Sequence, residues 1–132
     1  MYDLHQDKLL IASHNEGKIS EFRELLGLLK IDISSSKELK LPEPVEDGQT
    51  FEENALIKAK SASDLSNLIS LSDDSGIEID MLDRQPGIFS ARWGGKKNNF
   101  DLAISKIYSK LSKLDKNWKK KKISARFVCA LT

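Results

Sequence analysis

Lys8-Leu9-Leu10-Ile11-Ala12, followed at once by Ser13-His14-Asn15-Glu16-Gly17-Lys18, is the stretch that decides how this chain folds. A short, nearly uninterrupted apolar run is the pattern of a strand buried on both faces, as parallel sheets require. Ile19, Phe22, Leu25, Leu26 and Leu29 then recur at helical spacing and predict one packed helix face. Ile31-Asp32-Ile33 reads as a second strand. Strand, helix, strand is the opening of an α/β fold.

The remaining chain continues in kind. Pro42-Glu43-Pro44-Val45-Glu46-Asp47-Gly48 is a loop, since two prolines and a glycine forbid regular structure. A second helix is predicted from Thr50, with Glu53 completing a capping box and Phe51, Ala55, Ala59 and Ala62 on its packed face. Leu68-Ile69-Ser70-Leu71 and Ile77-Glu78-Ile79 read as strands flanking an acidic turn, and Pro86-Gly87 as a further turn. Phe100, Ala103, Ile104, Ile107, Leu111 and Leu114 predict one face of a third helix. From Ile123 the pattern alternates with period two, which is a strand, and no residue up to Thr132 terminates it. The expectation is one domain over 1–132, truncated at its C-terminus.

Composition narrows the function classes. The 132 residues are 39% hydrophobic and 31% charged, an ordinary globular balance for one domain. A net charge of +1 gives no overall field to attract nucleic acid. The run Lys119-Lys120-Lys121-Lys122 reads as a solvated turn, so no nucleic-acid partner is expected. Cys129 is the only cysteine; with no disulfide possible, it is expected to be a buried core residue. Met1-Tyr2-Asp3-Leu4-His5-Gln6-Asp7 lacks the features of a signal peptide, and no segment is long and apolar enough for a bilayer. The expected compartment is the cytoplasm, with no membrane partner.

Two clusters carry chemistry. Ser13 with Glu16 forms a capping box, which local stability alone could explain. Lys18, however, places a cation in the first turns of a helix, against the macrodipole, and a bound anion would reverse that penalty. Gly17 would let the chain pass close to such a ligand. A phosphate site and an ordinary surface lysine both remain open on spacing alone. Ser72-Asp73-Asp74-Ser75-Gly76 has the residues that tight turns prefer. Two adjacent carboxylates repel, though, unless a cation sits near them, and magnesium takes one or two carboxylates together with phosphate oxygens. Asn54 and Lys58, four apart, share a face of the second helix, where a solvated surface is the plainer reading. Arg92 and Trp93 offer a cation and an aromatic plane, and His5 and His14 lack metal-ligand spacing to one another.

Four segments in order, Ser13-His14-Asn15-Glu16-Gly17-Lys18, Glu46-Asp47-Gly48-Gln49-Thr50-Phe51-Glu52-Glu53-Asn54-Ala55, Leu71-Ser72-Asp73-Asp74-Ser75-Gly76-Ile77 and Pro86-Gly87-Ile88-Phe89-Ser90-Ala91-Arg92, resemble the inosine triphosphate pyrophosphatase (Ham1-like) family. The resemblance implies a mixed central sheet with flanking helices in two lobes around a nucleotide cleft, the second lobe incomplete here. It implies hydrolysis of noncanonical purine nucleoside triphosphates (ITP, dITP, XTP) to monophosphate and pyrophosphate, with Mg2+ as cofactor and a homodimer as the assembly of the complete protein. By the same resemblance Ser13, His14, Asn15, Glu16, Gly17, Lys18 and Lys58 would hold the triphosphate, and Ser75 would contact substrate. Glu46 and Asp74 would hold the metal, Asp73 would support that acidic site, and Asp74 would also accept a proton from the attacking water. Later family segments, among them a Phe-Gly-Tyr-Asp-Pro motif and a Ser-His-Arg end, have no counterpart in these residues. A Maf-like pyrophosphatase of similar architecture, and a non-catalytic remnant that only binds nucleotide phosphate, are the alternatives.

Overall fold

Leu9 and Ile11 point to one side of their strand, Leu10 and Ala12 to the other, and both sides are buried. That is what a two-sided apolar run demands: cover on each face. The computed structural model describes residues 8–132; His5 and the segment read above for a leader lie outside the described residues. Two compact units make up the chain, Met1–Asp73 with Leu131–Thr132, and Asp74–Ala130.

The first unit is a parallel sheet. β1 (Lys8–Ile11) is flanked by β2 (Asp32–Ser35) and β3 (Ile69–Leu71), with Ile11 opposite Ser35 on one side and Leu71 on the other. α1 (Glu16–Leu26) covers the Leu9–Ile11 face through Ile19, Phe22 and Leu26. Leu25 and Leu29, expected on that face, are 75% and 53% exposed. The helix stops at Leu26, so Leu29 never joins its stripe. α2 (Phe51–Ser66) covers the opposite face, where Ala62 packs on Leu10 and Ala12. Its buried Phe51, Ala55, Ala59 and Ala62 are those expected, and small side chains let the helix lie close to the sheet. Thr50 caps α2 by accepting the Glu53 N–H, and Asn67 ends it in the left-handed conformation at φ 57°.

The second unit contains most of β4 (Asp73–Ile79), which lies between β5 (Gln85–Pro86) and β6 (Ala125–Leu131). The Gln85–Pro86 peptide is cis. β6 runs antiparallel to β4, since the Asp80 N–H donates to Ser124 while Arg126 pairs with Glu78. Arg126 reaches both Glu78 and Asp80, and that pairing raises its already high pKa. α3 (Phe100–Leu114) packs through Ala103, Ile107 and Leu111, and a cluster forms from Ile79, Leu82 and Leu111 with Trp118 at its margin.

Three further expectations need correction. Ser72-Asp73-Asp74-Ser75-Gly76 is not a turn: only Ser72 separates β3 from β4, and both aspartates lie in a strand, 5% and 8% exposed. Strand pairing has overridden the turn propensity of Asp, Ser and Gly. On α3, Phe100, Ile104 and Leu114 are more than half exposed, so the packed stripe is narrower than the periodicity implies. Cys129 is exposed, because the side of β6 that carries Phe127 (87% exposed) and Leu131 faces outward.

Charge is unevenly divided. Residues 74–130 hold 13 of the 21 Lys and Arg but only 6 of the 20 Asp and Glu. Among the described residues no helix is long and apolar enough to cross a membrane.

Leu10 is fully buried between β1 and α2. Leu10→Ala is expected to destabilise the chain by about 2–5 kcal/mol, the usual range for a buried leucine, read as a lower urea midpoint at an unchanged slope.

Candidate functional site

Because β1 and β3 run parallel and in register, the segments that follow them leave the sheet at the same end. The Ala12 N–H donates to the Leu71 carbonyl at 2.8 Å, which holds the two exits together. Residues 13–18 follow one exit, and Ser72 and Asp73 follow the other. Ligands of open α/β sheets gather at such carboxyl ends.

The turn into α1 is organised by Asn15, which corrects the expected Ser13–Glu16 capping box. Asn15 is the N-cap, its Oδ1 accepting the Lys18 N–H at 3.2 Å, and the Ser13 hydroxyl accepts the Asn15 N–H at 3.1 Å. Glu16 instead pairs with Lys37, whose ammonium holds the Glu16 carboxyl below the usual carboxylate range. The first-turn amides of α1 and the Lys18 ammonium remain the elements suited to an anion.

Lys18 reaches across to the strand exit. Its Nζ donates to Asp73 Oδ2 at 2.8 Å, joining residues 55 apart in sequence, and the Asp73 side chain is 7% exposed. A second pair stands in the same unit: Lys58 Nζ lies 3.2 Å from Glu46 Oε1. The Lys58 side chain is largely buried, against the solvated helix face that periodicity suggests. Each lysine expected to bind phosphate is therefore in contact with a carboxylate of the expected acidic site.

Asp74 and Ser75 belong to β4, Asp74 buried and Ser75 half-buried. Successive strand residues face opposite sides, so Asp73 and Asp74 address different faces of β4. Among the described residues no group of three or more His, Cys, Asp and Glu side chains is gathered closely enough to hold a metal ion. Arg92 lies over the Phe89 ring at 5.0 Å and Lys110 over half-buried Trp93 at 5.2 Å.

Sequence reasoning missed one support of this site and underrated another. The Ser72 hydroxyl donates to the Ala55 carbonyl and ties the β3 exit to α2; a lone serine in an acidic segment gives no warning of that. Asn54 is 2% exposed and accepts the Gly48 N–H at 2.8 Å. The signal for it was present, since Asn54 borders the packed alanine stripe one turn before Lys58.

The sequence and the fold match a known group. Residues 9–132 fit the Ham1 family's sequence profile, and the chain belongs to that family. It is 44% identical over 129 residues to a dITP/XTP pyrophosphatase of Zymomonas mobilis and 43% identical over 131 residues to one of Brucella melitensis. Those alignments take in 98% and 97% of this chain but 60% and 59% of the relatives, so the chain spans about three-fifths of their length. Among solved structures, a HAM1 protein from Coxiella burnetii superposes with a TM-score of 0.82 at 37% identity, covering 94% of this chain and 61% of that one. The Ham1 protein of Staphylococcus aureus gives 0.76 at 33% identity, covering 95% and 62%.

Lys18→Met is expected to destabilise the chain by roughly 1–3 kcal/mol, below the value for a fully buried pair because about a third of the lysine side chain is in solvent. Asp73→Asn in that background should recover part of the loss. A double-mutant cycle measures the coupling, and additive effects would show that the contact carries no energy.

Proposed function

We propose that this chain acts as a nucleoside triphosphate pyrophosphatase on noncanonical purine nucleotides (dITP, XTP and ITP), releasing monophosphate and pyrophosphate. The observation that carries the reading is the Lys18–Asp73 contact at 2.8 Å, which joins the candidate phosphate turn to the acidic strand. The Lys58–Glu46 contact repeats that chemistry, and the relatives' names supply the substrate class.

The candidate donors are carboxylate oxygens, the type a hard divalent cation takes, and two of the three carboxylates are buried. On this reading Glu46 and Asp74 hold magnesium and Asp73 supports the acidic site through Lys18. When bound, magnesium supplies neutralisation of the charge on the phosphate oxygens. Lys18, with the first amides of α1, and Lys58 bind and orient the triphosphate, and Ser75 contacts the substrate. Asp74 accepts a proton from the water that attacks the α-phosphorus. As the new P–O bond forms, the bond from the α-phosphorus to the α–β bridging oxygen breaks, and its electron pair leaves on pyrophosphate. A homodimer is the assembly this reading expects.

The 132-residue chain is expected to release pyrophosphate from dITP in magnesium buffer. Asp74→Asn should lower turnover by roughly 10²–10⁴-fold, the usual contribution of a general base, with the circular dichroism of the fold retained. Pyrophosphate release by Asp74→Asn at the parental rate, or none from the parent chain, overturns the assignment.

A further inference from the structure

We propose that His14 and Asn54 are positioning residues that clamp the two ends of the loop 41–48 and thereby fix Glu46 against Lys58. The inference rests on the proposed function, because Glu46 and Lys58 need fixed positions only if cation and phosphate meet there.

Residues 41–48 contain neither helix nor strand, so nothing regular in the backbone dictates where Glu46 stands. The first end is held from the turn between β1 and α1. His14 Nε2 lies 2.7 Å from the Leu41 carbonyl oxygen, which can only accept, so Nε2 carries the hydrogen. The other ring nitrogen, Nδ1, faces Glu43 Oε1 at 3.5 Å. Both nitrogens are thus directed at the loop. That gives His14 a task different from the phosphate contact its place in the motif implies. The Leu41 N–H donates to the Ser36 carbonyl at 3.0 Å, which pins the same end to the segment after β2.

The second end is held from α2. The Gly48 N–H donates to Asn54 Oδ1 at 2.8 Å, and the Gln49 N–H to Glu53 Oε2 at 2.6 Å. A Cβ at Gly48 would stand 2.6 Å from Asn54 Oδ1 and 2.8 Å from the Glu53 Cβ, distances at which something must move. Only glycine permits that approach. Asn54 and Lys58 are four apart on α2, so one helix face supplies both the clamp and the counter-ion of Glu46. With both ends fixed, the loop loses the conformational freedom that would otherwise scatter Glu46.

The test uses His14→Phe, which removes the donor and keeps a ring, His14→Gln, whose amide can still donate, and Gly48→Ala at the other end. Amide hydrogen exchange in residues 43–47 and calorimetric titration with magnesium pyrophosphate are read together with Tm. His14→Phe and Gly48→Ala are expected to speed exchange in that segment and to weaken magnesium pyrophosphate about 5–30-fold, with Tm near the parent value in His14→Phe and lowered in Gly48→Ala, where the added methyl displaces the buried Asn54. His14→Gln should restore most of both. Parental exchange and affinity in His14→Phe overturn the proposal, as does an equal loss in His14→Gln, which would indicate ring packing alone. A parent chain that binds magnesium pyrophosphate while the variants bind it equally well removes the clamp only. A parent chain that binds none removes the proposed function, and the positioning role with it.

Discussion

The parallel register of β1 against β3 is the constraint on which the rest depends. Ile11 stands opposite Leu71, so the chain leaves both strands level with one another. Lys18 can then meet Asp73 within one hydrogen bond although 55 residues separate them. A slip of one residue would turn Leu9 and Ile11 from the α1 face to the α2 face, and both clusters would break. Core and site are therefore fixed by the same alignment: apolar side chains choose the register, and the register brings the charges together.

Much of this was legible in the sequence where periodicity and burial coincide. β1 was readable because a strand covered on both faces can be apolar throughout. α2 was readable because Thr50 announces its start and its alanines mark its packed side. The failures have distinct causes. Asn15 rather than Ser13 caps α1, and both residue types suit the position equally well, so spacing could not choose between them. The two aspartates read as a turn because Asp, Ser and Gly favour turns locally, whereas long-range strand pairing decided the outcome. Cys129 was misplaced because a period-two pattern gives two faces without saying which one is covered. The pairing partners of Lys18 and Lys58 lie in distant segments, which only the folded chain brings together.

The loop between β2 and α2 illustrates how a segment without regular structure is still held in place. Its prolines limit the conformations available, and Gly48 permits a buried amide side chain to approach the backbone. Such economy suits a carboxylate that must stand beside a lysine without being attached to helix or strand. It also explains why Asn54 is buried although its side chain is polar: its oxygen accepts a hydrogen bond there, so burial leaves that atom satisfied.

The uneven division of charge has a practical consequence. A sequence isoelectric point near 7.8 suggests a nearly neutral particle at physiological pH. Yet Met1–Asp73 carries 14 acidic against 8 basic side chains, while Asp74–Ala130 carries 13 basic against 6 acidic. Each part repels itself, and dissolved ions relieve that repulsion over a screening distance of about 8–10 Å. The polypeptide should therefore be retained by anion-exchange and cation-exchange resins alike in dilute buffer, a behaviour that the net value of +1 conceals.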